Sequence, residues 1–385
     1  MTLVALRAQI EELTTSDKVK IGHYRFANRL KWLLPHLESA AMAMKESEGN
    51  EKTSNEAPAN AFFHSRHDTG NARNALFHLE ALTRIYETTH ANDADSFESL
   101  NNDFKELEDG LGRIDYYEAF LEEAKESTSA AGNKITDGPA VCGYFAGGYH
   151  AELQNLTKRL KDSEWLVLEE GVVSSPRLES ILETLADIKW KKAKKDRKGI
   201  LSFLVETLDK VIDKGGHGDP AKALNFSQLE DGVHEFRRTV RWMSIYPQAL
   251  GGLCELTNNG PDALDTSLSA YYTDEIVSGK FNKYDPDPRE AKRIGIDASL
   301  IFAFSFVIGE IGDVKDGGQS AEALELALER TTGASGAEVH KALHQWVDDP
   351  PTSDSICKTV SGIVERFLGT NQIPQRLKAC FEDQL

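Results

Sequence analysis

Cysteine is scarce. The 385 residues hold four, Cys142, Cys254, Cys357 and Cys380. None forms a CxxC pair, and they read as reduced, mostly buried thiols of a cytosolic protein. Glycine (29) and proline (12) are too few for a collagen-like or low-complexity chain. No apolar run approaches the ~20 residues that cross a bilayer. The stretch from Met1 to Asp17 lacks the basic start and apolar core of a signal peptide. Runs of alternating β-branched residues are nearly absent, which argues against a sheet protein. Positive charge is also short. Lys and Arg number 44 against 62 Asp and Glu, a net charge of −18, so a uniform polyanion binder is excluded. No HExxH, GxSxG or Cys-His nucleophile signature occurs.

The distribution of charge says more than its sum. Residues 1–130 carry 14 Lys/Arg against 23 Asp/Glu, and residues 251–385 carry 12 against 22. Residues 151–250 carry 17 against 16, which leaves room for a local basic site. The length exceeds the roughly 250–300 residues at which a single core stops growing, so two domains or two halves are expected.

The apolar spacing is helical throughout. It predicts an all-α protein with helices near 3–13, 16–46, 59–89, 96–127, 149–169, 176–214, 225–255, 262–279, 288–330, 336–348, 353–369 and 373–383. Ser175-Pro176 and Asp287-Pro288 are helix starts. Gly215-Gly216 stops the helix begun at Pro176 and serves as a hinge, giving halves 1–216 and 217–385. The Gly-rich stretch Gly143 to Gly148 lacks the Lys-Ser/Thr of a phosphate loop and reads as part of a connector over 130–148. Two echoes link the halves. Arg25, Arg29 and Pro35 align with Arg237, Arg241 and Pro247, and Leu111 to Asp115 aligns with Ile311 to Asp316.

The sharpest constellation is His234, Arg237, Arg238 and Arg241. At about 100° per residue they share one helical stripe. Like charges four apart repel by a few tenths of a kcal/mol, so the stripe calls for counter-charge. Glu230, Asp231 and Glu235 supply some, and a bound anion is one source of the rest. Lys18, Arg25 and Arg29 form a second stripe, and Arg66, Arg73 and Arg84 a third. Lys189 to Lys198 holds seven Lys/Arg in ten residues, of which Lys192 and Lys195 are carried as ligand contacts with Lys292 and Arg293. Each stripe has an ordinary alternative as a solvated face with surface ion pairs. No motif of a sequence-specific nucleic-acid module is present. A separate possibility is His64, His67 and Asp68, reminiscent of helical metal-dependent phosphohydrolases, with His23 or His36 and Asp115 as further ligands.

At His234, Arg237 and Arg241 the chain resembles the CHAD family, the conserved histidine α-helical domain. That family's signature is a helix with His, then Arg three later, then further basic residues. A Leu-Gly-x-x-x-Asp-like stretch follows, and Ile311 to Asp316 resembles it. In the first half Arg25 and Arg29 match, but Gly22 replaces the histidine. The helix with His67, Asp68 and Arg73 is the alternative match, with Gly70 interrupting it. The resemblance implies two four-helix bundles related by a pseudo-twofold and a basic channel lined from both halves. It implies binding of inorganic polyphosphate without catalysis or cofactor, and association with polyphosphate granules in the cytoplasm. Typical members are basic, whereas this sequence has a pI near 5.1. The alternatives are the metal phosphohydrolase and a helical scaffold that binds no ligand.

Overall fold

The computed structural model describes residues 1–385 apart from 132–134, 136, 259, 261–262, 280–281, 285–286, 288, 291 and 348. It is 74% helical, so the all-α expectation holds. None of its helices is long and apolar enough to cross a membrane, among the described residues. The chain divides into two compact units, Met1–Ala193 and Lys194–Leu385. The division falls at 193/194 rather than at the Gly215-Gly216 hinge, because the helix expected over 176–214 is broken.

The first unit contains α1 (Leu3–Thr15), α2 (Ile21–Glu46), α3 (Glu51–Ser54), α4 (Ala57–His64), α5 (Ala72–Thr89), α6 (Ala94–Ala131), α7 (Gly138–Asp162) and α8 (Pro176–Asp187). Helices α5, α6 and α7 pack in succession, and α2 packs against α1, α4 and α5. Their apolar residues recur at helical spacing and are fully buried, as in Leu30, Leu33 and Leu37 of α2 and Leu107, Leu111 and Ile114 of α6.

Three expectations are corrected here. The helix over 59–89 is split by a two-residue hairpin, β1 (Arg66–His67) on β2 (Gly70–Asn71). Gly70 turns the chain at φ +108°, and Asn71 then caps α5 by accepting from the Asn74 amide at 2.9 Å. The expected connector at Gly143 to Gly148 is part of α7. Of its glycines Gly148 serves close packing, since a Cβ there would lie 2.2 Å from the Tyr117 ring, whereas a Cβ on Gly143 or Gly147 would meet nothing within 4 Å. The helix over 176–214 stops at Asp187, and Ile188 is extended. Trp190 folds back, donates Nε1–H to the Leu185 carbonyl at 3.0 Å and stacks on His23. The crowd of like charges that follows has no carboxylate but Asp196, and repulsion favours the break.

The second unit contains α9 (Ala193–Lys214), α10 (Glu235–Ala249), α11 (Asp274–Ser278), α12 (Ala298–Thr332), α13 (Ala337–Leu343), α14 (Ser353–Val364) and α15 (Ile373–Glu382). Helix α12 is central, with α10, α11, α13, α14 and α15 packed on it. Asp297 caps its start, accepting from the Ser299 amide at 2.9 Å, and Gly333 ends it in the left-handed conformation. The start expected at Asp287-Pro288 is not seen: the helix begins at Ala298, and residue 288 lies outside the described residues. A parallel pair, β3 (Cys254–Thr257) on β4 (Ile294–Asp297), leads into it. Wider π-type turns occupy 229–234 and 365–370, where simple α-helix was expected.

Candidate functional site

The basic stripe of the second unit begins on a π-type turn. The Val233 amide donates to the Gln228 carbonyl at 3.1 Å, five residues back. Gly232 permits this path, because a Cβ there would sit 2.0 Å from the Asn225 carbonyl oxygen. The turn delivers His234 to the start of α10. The His234 ring is half-buried, and its Nδ1 is buried with no hydrogen-bond partner among the described residues. Burial holds the imidazole pKa below its usual value. Glu230 opposes that, while Lys315, Arg238 and Arg237 add to it. A neutral ring amid cations is the result.

Arg237 packs over Gly312 of α12, with Nε and Nη2 both 3.0 Å from where a Cβ would stand. Its Nε–H donates to the Ile308 carbonyl at 3.2 Å, and no carboxylate pairs with it among the described residues. Lys315, one turn along α12, pairs with its neighbour Asp316 at 2.6 Å. Arg238 turns away into an exposed ion pair with Glu235, which also takes Lys214. Arg241 is half-buried one turn beyond Arg237. The structure therefore gathers His234, Arg237 and Lys315 between α10 and α12. Lys315 was not among the expected residues, although the Ile311 to Asp316 echo contains it.

The first-unit stripes are corrected. Lys18 lies in a turn before α2, not on the helix. Arg25 and Arg29 point into the unit and are buried. Arg25 donates Nη1–H to the Tyr86 hydroxyl at 2.5 Å. The Arg29 guanidinium sits 3.8 Å above the Trp32 ring, and burial pushes its pKa down to about 9. Gly22, where the resemblance would call for a histidine, makes room for Trp190, whose ring would be 2.3 Å from a Cβ there. The third stripe does not form either. Arg66 is on the β1–β2 hairpin and donates to the Phe63 carbonyl at 2.8 Å. Arg84 pairs with Glu80 at 3.1 Å. Arg73 pairs with Glu108 at 2.7 Å and Asp115 at 2.8 Å.

Lys192 and Lys195 are exposed, as is Lys292. Arg293 is held by Glu255 at 2.9 Å, and its carbonyl accepts from Arg197 at 3.3 Å, which brings residues 292–293 beside α9. The histidines of the metal alternative diverge. His64 Nε2 faces the Tyr149 hydroxyl at 3.1 Å and Glu118 at 3.5 Å, while His67 lies edge-on to the buried His36 ring at 4.7 Å. Asp68 is exposed in the hairpin turn. No group of three or more His, Cys, Asp or Glu that could hold a metal occurs among the described residues. Comparison with protein-family models, curated proteins and solved structures returns no match.

Proposed function

We propose that the chain binds inorganic polyphosphate, without chemistry of its own, at the α10–α12 face of its second unit. The observation that carries the reading is the half-buried His234, its Nδ1 without a partner among the described residues, beside Lys315 and beside an Arg237 that none of the described carboxylates neutralises. Phosphate oxygens meet such donors with short, charge-assisted hydrogen bonds, and a chain of identical phosphates needs no base or sugar to be read. The resemblance of His234, Arg237 and Arg241 to the CHAD signature supports the same ligand and the same granule association.

The site predicts proton-linked binding. Burial and three cations keep His234 neutral in the free protein. A bound polyanion offsets those cations and raises the imidazole pKa, so binding takes up a proton. Affinity for long-chain polyphosphate is expected to rise between pH 8 and pH 6, and the His234→Ala variant to lose that rise. Calorimetric titration at the two pH values reads both. Equal pH dependence in the variant, or no binding at either pH, contradicts the proposal.

A further inference from the structure

The arginine-on-glycine packing occurs twice, and its two copies differ in charge. On α5, Arg73 Nη2 lies 2.9 Å from where a Cβ on Gly112 of α6 would stand. On α10, Arg237 has the same relation to Gly312 of α12 at 3.0 Å. Both arginines use Nε–H to reach the residue one turn before the glycine. The acceptor is the Glu108 carboxylate at 2.7 Å in the first copy and the Ile308 carbonyl at 3.2 Å in the second. Three residues after the glycine stands Asp115 in one copy and Lys315 in the other. Asp115 accepts from Arg73 Nη1 at 2.8 Å. Arg73 therefore faces two carboxylates where Arg237 has a carbonyl and a neighbouring lysine.

We infer that Glu108 and Asp115 are built-in counter-anions that hold Arg73 shut against phosphate oxyanions, so that the first unit carries a closed copy of the arrangement the second presents open. Carboxylate oxygens on two guanidinium nitrogens satisfy the donors that a phosphate would use. Both are tethered within the unit, so a dissolved anion competes against a high effective concentration. The Arg73 side chain is 31% exposed, so the guanidinium remains within reach of solvent once its partners are neutralised. The inference rests on the proposed function for the class of ligand.

The test is a titration with tripolyphosphate in the full chain, on a background of Arg237→Ala with Lys315→Gln that removes the open copy. Asp115→Asn is added first, since the Asp115 side chain is 58% exposed and its replacement leaves the packing in place. Glu108→Gln is added second. Binding absent from the background is expected to appear with Asp115→Asn, to strengthen about tenfold with both changes, and to vanish when Arg73→Ala is added. No gain from Asp115→Asn in the folded protein overturns the inference, as does a gain that survives Arg73→Ala. Asp115→Asn alone carries the test where the double change does not fold. An Arg73-dependent gain in a chain whose unaltered form binds no polyphosphate would sink the proposed function and leave this inference standing. Binding by the unaltered chain with no gain would do the reverse.

Discussion

Arg237→Glu combined with Lys315→Gln is expected to weaken binding of long-chain polyphosphate by about a hundredfold or more. A hydrogen bond to a charged group contributes roughly 1.5–3 kcal/mol, and each 1.4 kcal/mol is tenfold in affinity. Two such donors are removed, and a like charge is set against the ligand. The fold is expected to tolerate the change, because among the described residues Arg237 makes one hydrogen bond, to a carbonyl, and Lys315 a single pair with its chain neighbour. Circular dichroism and the melting temperature check that the variant is folded. Lys158→Glu, a charge reversal in an exposed i,i+4 pair on α7, is the control for net charge and should change affinity little. An equal loss in that control would assign the effect to the field of the whole chain rather than to the α10–α12 site.

The second large effect concerns stability. Glu80 of α5 is 2% exposed, and its Oε1 is buried without a hydrogen-bond partner among the described residues. Burial, then the charge of Glu108, raises its pKa, against Arg84 and Lys105, to about 7. The unfolded chain releases this proton near pH ~4.3. The folded protein thus holds more protons than the unfolded one between those values. The contribution to stability is fully present below pH ~4.3 and is lost as pH rises through about 7, on the order of 3–4 kcal/mol. Glu80→Gln keeps the neutral form at every pH. Urea unfolding should find the variant close to the parent at pH 5 and more stable by that amount at pH 8. A difference between the two proteins that does not change with pH contradicts the assignment. His36, which burial pushes down to about 4, adds an opposite slope below pH ~6.5, but it is common to both proteins and cancels.

The sequence showed the helical class because the core residues repeat at helical spacing on nearly every element, as on α2 and α6. It missed two breaks because the apolar pattern runs across them, and it placed a connector at Gly143 to Gly148, inside α7, because glycine ordinarily interrupts a helix. The hairpin at Gly70 and the stop at Asp187 are decided by one backbone angle and by the folding back of Trp190, and neither alters periodicity. The site was half legible. Helical angle tells which residues share a face, but not whether that face meets water. Arg25 and Arg29 do share one, yet α2 buries residues around most of its girth, so these arginines turn inward. Lys315 and Glu108 went unnoticed because their roles depend on neighbours across α10–α12 and α5–α6. The echo of Leu111 to Asp115 in Ile311 to Asp316 was the available clue, and in both copies its glycine is where an arginine packs.

The central claim is tested most directly by calorimetric titration of the purified protein with long-chain polyphosphate at two salt concentrations, with double-stranded DNA as the control. Multiple phosphate contacts release counterions, so the account predicts binding at low salt that weakens steeply at higher salt, with little affinity for DNA. No binding at low salt, or equal affinity for DNA, would contradict it.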